Sequence, residues 1–185
     1  MSYSIPTAEL TLSNIQGFRT AAVEAGIIRA ESQGLGNRKE LVVRDLLPLT
    51  DLGTAATGWL TEEYITVGAV AGPAWIWAFS FAAVPQLART KVAVFYGWAD
   101  VMAAPIATAV RFRVGATGAT TKAVFHTQMA IQAKMEPDVY FSEPVVYSPE
   151  DFAFIEIYTT AATPAGGEQI PFRALIIERV GGTVS

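Results

Sequence analysis

From Glu40 onward, apolar and polar residues alternate over short stretches that are separated by Gly, Pro, Asp and Thr. Alternation with a period of two is typical of strands that bury one face. The clearest case is Ile106–Val114, where apolar residues at every second position oppose Arg111 and Arg113. The pattern predicts the strands Glu40–Leu47, Trp59–Val67, Ala74–Ala82, Lys91–Trp98, Ile106–Val114, Thr121–Gln128, Val139–Tyr147, Phe152–Thr159 and Pro171–Val180.

The connections between these strands indicate how they are arranged. No connection has the roughly 10 to 15 residues of clean helical periodicity that a crossover between parallel strands needs. The glycines of Gly115–Gly118 allow a tight turn, so we expect Ile106–Val114 and Thr121–Gln128 to form a hairpin. Many short strands with several long connections favour an all-β, antiparallel β-sandwich of jelly-roll type. An immunoglobulin-like sandwich is disfavoured because the chain lacks the Cys…Trp…Cys signature.

An aromatic stripe marks the predicted strand Ala74–Ala82. Trp75, Trp77, Phe79 and Phe81 follow one another at a spacing of two, so an unbroken strand places all four on one side. Four large aromatic side chains on one side demand burial. We therefore expect the stripe to lie in the core or in a subunit interface.

The first 38 residues differ from the rest, because their apolar residues follow no strand period. Ser13 can cap a short helix on which Ile15 and Phe18 share a face. The pattern predicts an N-terminal arm at 1–38, extended or partly helical, followed by a jelly-roll β-sandwich at 39–185. The arm is expected to pack on its own domain or on a neighbour. Its predicted interface residues are Leu10, Leu12, Ile15, Phe18, Ile27 and Ile28.

Composition narrows the class of partner. The 185 residues include 13 Lys and Arg, 17 Asp and Glu and no cysteine, and only 16% are charged. An average soluble domain carries about 25% charged residues, so the surface is unusually neutral and part of it is expected to contact another protein. The scattered basic residues form no run that would hold a phosphate backbone or an anionic membrane. We therefore expect neither nucleic acid nor a membrane as a direct partner.

An uncharged stretch, Tyr64–Ala88, is 25 residues long and would be long enough to cross a bilayer as a helix. Gly68, Gly72, Pro73 and Pro85 interrupt any helix there. The stretch is therefore predicted to form strands and not a membrane span.

Catalytic motifs are absent from the sequence. His126 is the only histidine, so the metal site of a cupin, which draws on several histidines, cannot form. Glu62–Glu63 and Glu150–Asp151 are adjacent carboxylates, but neighbouring residues of a strand point to opposite faces and not into one cleft. We therefore expect no catalytic residue, no cofactor and no metal, and we do not expect an enzyme.

Two binding possibilities remain open. Asp100, Asp138 and Asp151 lie near strand ends and could offer oxygen ligands to calcium, although no Asp-x-Asp-x-Asp-Gly loop organises them. Exposed aromatic residues could form a surface on which sugars stack, and the candidates are Trp59, Trp98 and Tyr158.

Three segments of the second half carry a family resemblance: Val110–Lys122, Tyr140–Tyr158 and the closing Pro171–Val180. In strand pattern they resemble the jelly-roll decoration, or cement, proteins of tailed-phage capsids. The resemblance covers about residues 40–180 and includes no active-site motif. It implies a homo-oligomer, a trimer more than a dimer, on the capsid exterior. There, loops and an N-terminal arm would tie neighbouring capsomers together by contacts with the major capsid protein.

We therefore predict a structural virion protein that decorates and stabilises an icosahedral phage capsid by bridging neighbouring capsomers. The neutral, apolar-rich composition agrees with this, because obligate interfaces resemble a bisected core. The alternative prediction is a carbohydrate- or receptor-binding jelly-roll module of a phage fibre or a similar assembly.

Overall fold

The computed structural model describes residues 4–7, 10–52, 63–67, 71–80, 87–115, 120–127, 138–163 and 167–180. The first elements in chain order are β1 (Ser4–Pro6), α1 (Leu12–Ser32), a 3₁₀ turn (Arg38–Glu40), β2 (Leu41–Asp45) and a π-helical turn (Pro48–Leu52). The strands that follow are β3 (Ile65–Val67), β4 (Ala74–Ser80), β5 (Lys91–Ala99), β6 (Ala107–Val114), β7 (Thr120–His126), β8 (Asp138–Tyr147), β9 (Ala153–Thr159), β10 (Glu168–Ile170) and β11 (Phe172–Arg179).

These strands form two main antiparallel sheets that pack face to face. One sheet has five strands in the order β1-β8-β5-β11-β2, the other has four in the order β4-β9-β6-β7, and β3 pairs with β10. The hairpin expected between β6 and β7 is present, with Val110 opposite Phe125. The all-β, antiparallel sandwich predicted from the sequence is confirmed.

The chain passes from one sheet to the other at most connections. Strands β2, β5, β8 and β11 belong to the five-stranded sheet, whereas β4, β6, β7 and β9 form the four-stranded sheet. These eight strands therefore alternate between the two layers of the sandwich along much of the chain. The jelly-roll type expected from the sequence stays a prediction.

The core between the two sheets is built from alternate residues of the long strands and is aromatic at its centre. Phe125 and Phe141, from opposite sheets, stack with ring centroids 3.9 Å apart. Tyr147 is fully buried in the same core, and its hydroxyl lies 2.9 Å from the Arg113 carbonyl oxygen and 3.1 Å from that of Phe154. Burial raises the pKa of Tyr147 far above its usual range. The phenol is therefore a neutral structural anchor between the sheets.

The N-cap of helix α1 lies two residues before the predicted cap. Thr11, and not Ser13, is the N-cap: its side chain accepts a hydrogen bond from the Asn14 N–H, and Asn14 Oδ1 accepts one from the Thr11 N–H at 3.1 Å. This reciprocal capping satisfies two backbone donors that a helix start leaves unpaired. After the helix, Gly34 adopts a φ of +73°, which an L side chain disfavours.

One side of α1 lies on the outer face of the five-stranded sheet. Ala22 and Ala30 are fully buried against that sheet. Gly26 brings the helix closest, because a Cβ at this position would overlap Ile177 and come 2.8 Å from Val94 Cγ2. Much of the predicted arm is therefore a helix that packs on its own domain, one of the two options that its apolar residues had left open.

The predicted aromatic stripe is described only in part. A register shift lies between Trp77 and Phe79, so a spacing of two does not carry through β4. Trp75 is half-buried and lies on the outer face of the four-stranded sheet. The side chains of Trp77 and Phe79, and residue Phe81, lie outside the described part of the structure.

Candidate functional site

The outer face of the four-stranded sheet arranges aromatic and charged side chains in rows that cross the strands. Alternation in β6 turns Val110 and Phe112 into the core and Arg111 outward. Cross-strand register then aligns one residue from each strand in a row: Trp75, Tyr158, Ala109 and His126. We call this surface the polar face, and its described members are Trp75, Ala109, Arg111, Arg113, Val124, His126, Glu156 and Tyr158.

Glu156 is the electrostatic centre of the polar face. Although it points away from the core, its exposure is only 5%. Arg111, directly opposite on β6, donates a short hydrogen bond from Nε to Glu156 Oε2, and Arg113 Nη1 lies 3.4 Å from the same oxygen. A buried carboxylate is tolerated when cations and hydrogen bonds compensate its lost hydration. The two arginines and the glutamate therefore hold one another in place on the sheet.

The aromatic part of the polar face is joined to this ion cluster. The rings of Trp75 and Tyr158 lie 5.4 Å apart at an interplanar angle of 56°. The guanidinium carbon of Arg111 lies 4.3 Å from the Trp75 ring centroid, which is close enough for a cation–π interaction. His126 is exposed at the other end of the row. Arg111 thus connects the aromatic pair to Glu156 through one planar group.

The six predicted interface residues separate into two groups. Leu10, Ile15 and Phe18 are packed against the five-stranded sheet of the same chain, and Ile27 is buried. The Phe18 ring stacks on a tyrosine of β8 with centroids 5.2 Å apart. Leu12 and Ile28 are exposed, at 72% and 63%. Within the predicted set, these two keep the exposure that a contact with another chain requires.

The three candidates for a sugar-stacking surface differ in their exposure. Trp98 is a wrong candidate, because it is fully buried in the core between the sheets. Tyr158 is half-buried on the polar face, and Trp59 lies outside the described residues. The sequence alone did not exclude Trp98. Strand β5 is buried on both faces, so it lacks the alternation of polar residues that would indicate a solvent-exposed side.

The described pair of adjacent carboxylates, Glu150 and Asp151, does not converge on a cleft. Glu150 pairs with Arg89 at 2.6 Å on the surface, while Asp151 accepts a hydrogen bond from the Ser148 N–H at 2.8 Å. Residues 148–151 thus form the turn that Pro149 favours. Glu63 is exposed, and Glu62 lies outside the described residues.

A second ion cluster, which sequence analysis missed, lies at the β2 edge of the five-stranded sheet. Asp51 accepts two hydrogen bonds from Arg44, both 2.6 Å, and one from Lys91 at 2.7 Å. Burial opposes ionisation of Asp51, but the hydrogen bonds from Arg44 and Lys91 outweigh it and lower its pKa. The partners are far apart in sequence, so no local motif marks them. Every oxygen of this cluster is used in holding the sheet edge, and we assign it no binding role.

Comparison of the sequence with protein-family models and with curated proteins finds no match. Within the described ranges, no group of three or more metal-ligating side chains comes together. The part of the chain that the structure describes also contains no helix both long and apolar enough to cross a membrane. The case for a function therefore depends on the fold and on the polar face.

Proposed function

We propose that this chain is a structural virion protein that decorates and stabilises an icosahedral phage capsid by bridging neighbouring capsomers. In this proposal the polar face lies against the capsid shell on the particle exterior. The protein is also proposed to assemble with copies of itself, as a trimer more than as a dimer.

The observation that supports this best is the rigid, preassembled polar face on a sandwich whose opposite outer face is already covered by α1. Arg111, Arg113 and Glu156 hold one another before any partner arrives, so less side-chain entropy is lost on binding. A broad sheet face suits another protein, whereas small ligands usually bind in concave pockets.

Charge indicates which kind of protein surface fits. The described polar face carries two arginines and one glutamate, an excess of one positive charge, on a chain whose net charge is −4. Complementary potentials orient partners and exclude wrong ones. We therefore propose an acidic patch of the major capsid protein as the occupant of the polar face.

The proposed self-association is supported by the low charge of the chain and by the exposed Leu12 and Ile28 of α1. Solution mass at low micromolar concentration tests it. An oligomer is expected, and a clean 19.8 kDa monomer would leave only association on the shell.

A rebinding experiment tests docking of the polar face. Capsids stripped of this protein are mixed with the wild type, with Trp75→Ala and with His126→Glu, and bound protein is measured after sedimentation. His126 is exposed, so His126→Glu adds an acidic group to the face with little effect on folding. Both variants are expected to bind at least tenfold more weakly, whereas Lys39→Ala, at an exposed position in the 3₁₀ turn before β2, serves as a surface control.

Full binding by both polar-face variants would refute docking through this face. Failure of the wild type itself to rebind would refute the capsid function.

The alternative, a carbohydrate- or receptor-binding module, is favoured by one observation, the half-exposed pair of Trp75 and Tyr158 beside Arg111. Retention of the wild type on a glycan matrix, lost in Trp75→Ala, would support it over capsid docking.

A further inference from the structure

Two buried carboxyl groups meet where β5 ends. Asp100 follows β5 and is 5% exposed, and Glu168 begins β10 and is fully buried. Both accept a hydrogen bond from the Ile106 N–H, at 3.2 Å to Asp100 Oδ2 and 3.1 Å to Glu168 Oε1. Two acidic oxygens that share one donor must lie side by side. Among the described residues, no lysine or arginine forms an ion pair with either group.

The two carboxyls are not equivalent. Asp100 accepts further hydrogen bonds from the Met102 N–H at 3.2 Å and the Ala107 N–H at 3.0 Å. Glu168 has the shared donor alone, and its Oε2 is buried with no hydrogen-bond partner in the described ranges. Backbone donors favour the ionised form of a carboxyl group. Asp100 is therefore the better anion, and Glu168 is the better place for a proton.

Electrostatics leads to the same assignment. Burial and the neighbouring Asp100 raise the pKa of Glu168 to about 7, although the Ile106 N–H acts in the opposite direction. Adjacent buried carboxyls without a counter-cation hold one proton between them, because two like charges cannot both be buried at this distance.

We propose that one proton shared by Asp100 and Glu168 holds the loop 101–106 against β10, and that loss of this proton as the pH rises loosens the loop. We call this protonated pair the clasp. The loop connects the two sheets, since it joins β5 to β6. The loop also contacts β10 through a long hydrogen bond, 3.3 Å, from the Val101 N–H to the Gln169 carbonyl oxygen. The loop exposes Val101, at 56%, so its release would change an apolar part of the surface.

Among the described residues, the elements around this pair add no titratable group that replaces Asp100. Strand β3 pairs with β10 through Ile65, Thr66 and Val67, which do not titrate near neutral pH. On β8, Asp138 lies opposite Ala99 of β5, and it is paired with Arg173 at 2.8 Å. A metal ion fits poorly at Asp100, because three backbone N–H groups already donate to its oxygens.

The sign of the effect follows from the raised pKa. Below the ordinary glutamate pKa, about 4.3, folded and unfolded chains are both protonated and the clasp contributes its full stability. As the pH rises from there through about 7, the folded chain retains a proton that the unfolded chain has lost, and stability falls. Above that range the contribution is gone.

The experiment uses the full chain and measures the thermal midpoint between pH 5 and pH 8. We expect the wild-type midpoint to fall by several degrees over this range. Glu168→Gln should flatten the curve, because its amide N–H donates to Asp100 without titrating. Glu143→Gln, at an exposed site on β8, is the matched control and should keep the wild-type slope.

Two local measurements keep the proposal testable even where Glu168→Gln folds poorly. Amide exchange at Ile106 and Ala107, corrected for its intrinsic pH dependence, should accelerate above neutrality in the wild type. Carboxyl ¹³C chemical shifts should show Glu168 titrating near pH 7. A Glu168 that titrates in its ordinary range, or equal slopes for the wild type and Glu168→Gln, would overturn the proposal.

Discussion

The outer faces of the two sheets differ in polarity and in what covers them. The five-stranded sheet turns outward the aliphatic residues Val92, Val94, Leu175 and Ile177, and α1 covers them. The four-stranded sheet turns outward Arg111 and its ion-pair partners, and no helix of the described part covers them. A sheet face must be either covered or compatible with water. The apolar face is therefore needed for folding, and the polar face is available for a partner.

The difference can be read in the burial of single strands. In β5, every residue from Val92 to Ala99 is buried, because one side contacts the core and the other contacts α1. In β6, Arg111 and Arg113 interrupt burial at every second position. Continuous burial therefore marks the covered sheet, and alternation marks the sheet with a polar side.

The largest expected effect comes from removing the helix. A chain that starts at Lys39 exposes four aliphatic side chains worth about 1.5–3 kcal/mol each, comparable with the entire stability of an average domain, about 5–15 kcal/mol. We expect aggregation or a much lower melting temperature, measured by light scattering and circular dichroism. A chain that starts at Leu10 lacks β1 but keeps α1, and it should stay folded. Equal melting of 39–185 and the full chain would show that α1 is dispensable.

A smaller loss is expected on the polar face. Arg111→Ala leaves the buried Glu156 with Arg113 alone, and a broken buried pair costs about 3 kcal/mol. Adding Glu156→Gln should recover part of that loss, as urea unfolding of the single and double variants would show. The matched control is Arg19→Ala on α1, whose partner Asp45 is 75% exposed, with an expected cost below about 1 kcal/mol. Equal costs for Arg111 and Arg19 would contradict the burial argument.

The smallest effect distinguishes two glycines of α1. Gly26→Ala forces a methyl group into Ile177 and Val94, and such overpacking costs about 1–3 kcal/mol. A Cβ added at Gly17 would meet no packing neighbour within 4 Å, so Gly17→Ala should stabilise the chain by about 0.5–1 kcal/mol. Chemical unfolding measures both. A gain at both positions would mean that the helix does not sit tightly on the sheet.

Parts of this architecture follow from the sequence, and others do not. The strands β5, β6, β8 and β9 are close to their predicted limits, since each combines strand-forming residues with clear turn signals. Strand β10 was missed, because the predicted strand Pro171–Val180 begins after it and its three residues are too few to show a period of two. Leu10, Ile15 and Phe18 pack against the sheet of the same chain. The apolar pattern of α1 is too weak to indicate this partner from the sequence.

By itself, the sequence determined the antiparallel sandwich and the direction of Arg111, because a period of two is a local property of strands. Only the tertiary structure decided which residues meet across the sheets. Asp51 reaches Lys91 from 40 positions away, and Asp100 meets Glu168 across 68 positions, which neither spacing nor composition encodes. Trp98 and Trp75 show the same limit, since one lies in the core and the other on the polar face. The physical reason is that alternation separates the two sides of a strand, whereas sheet order and register decide what each side contacts.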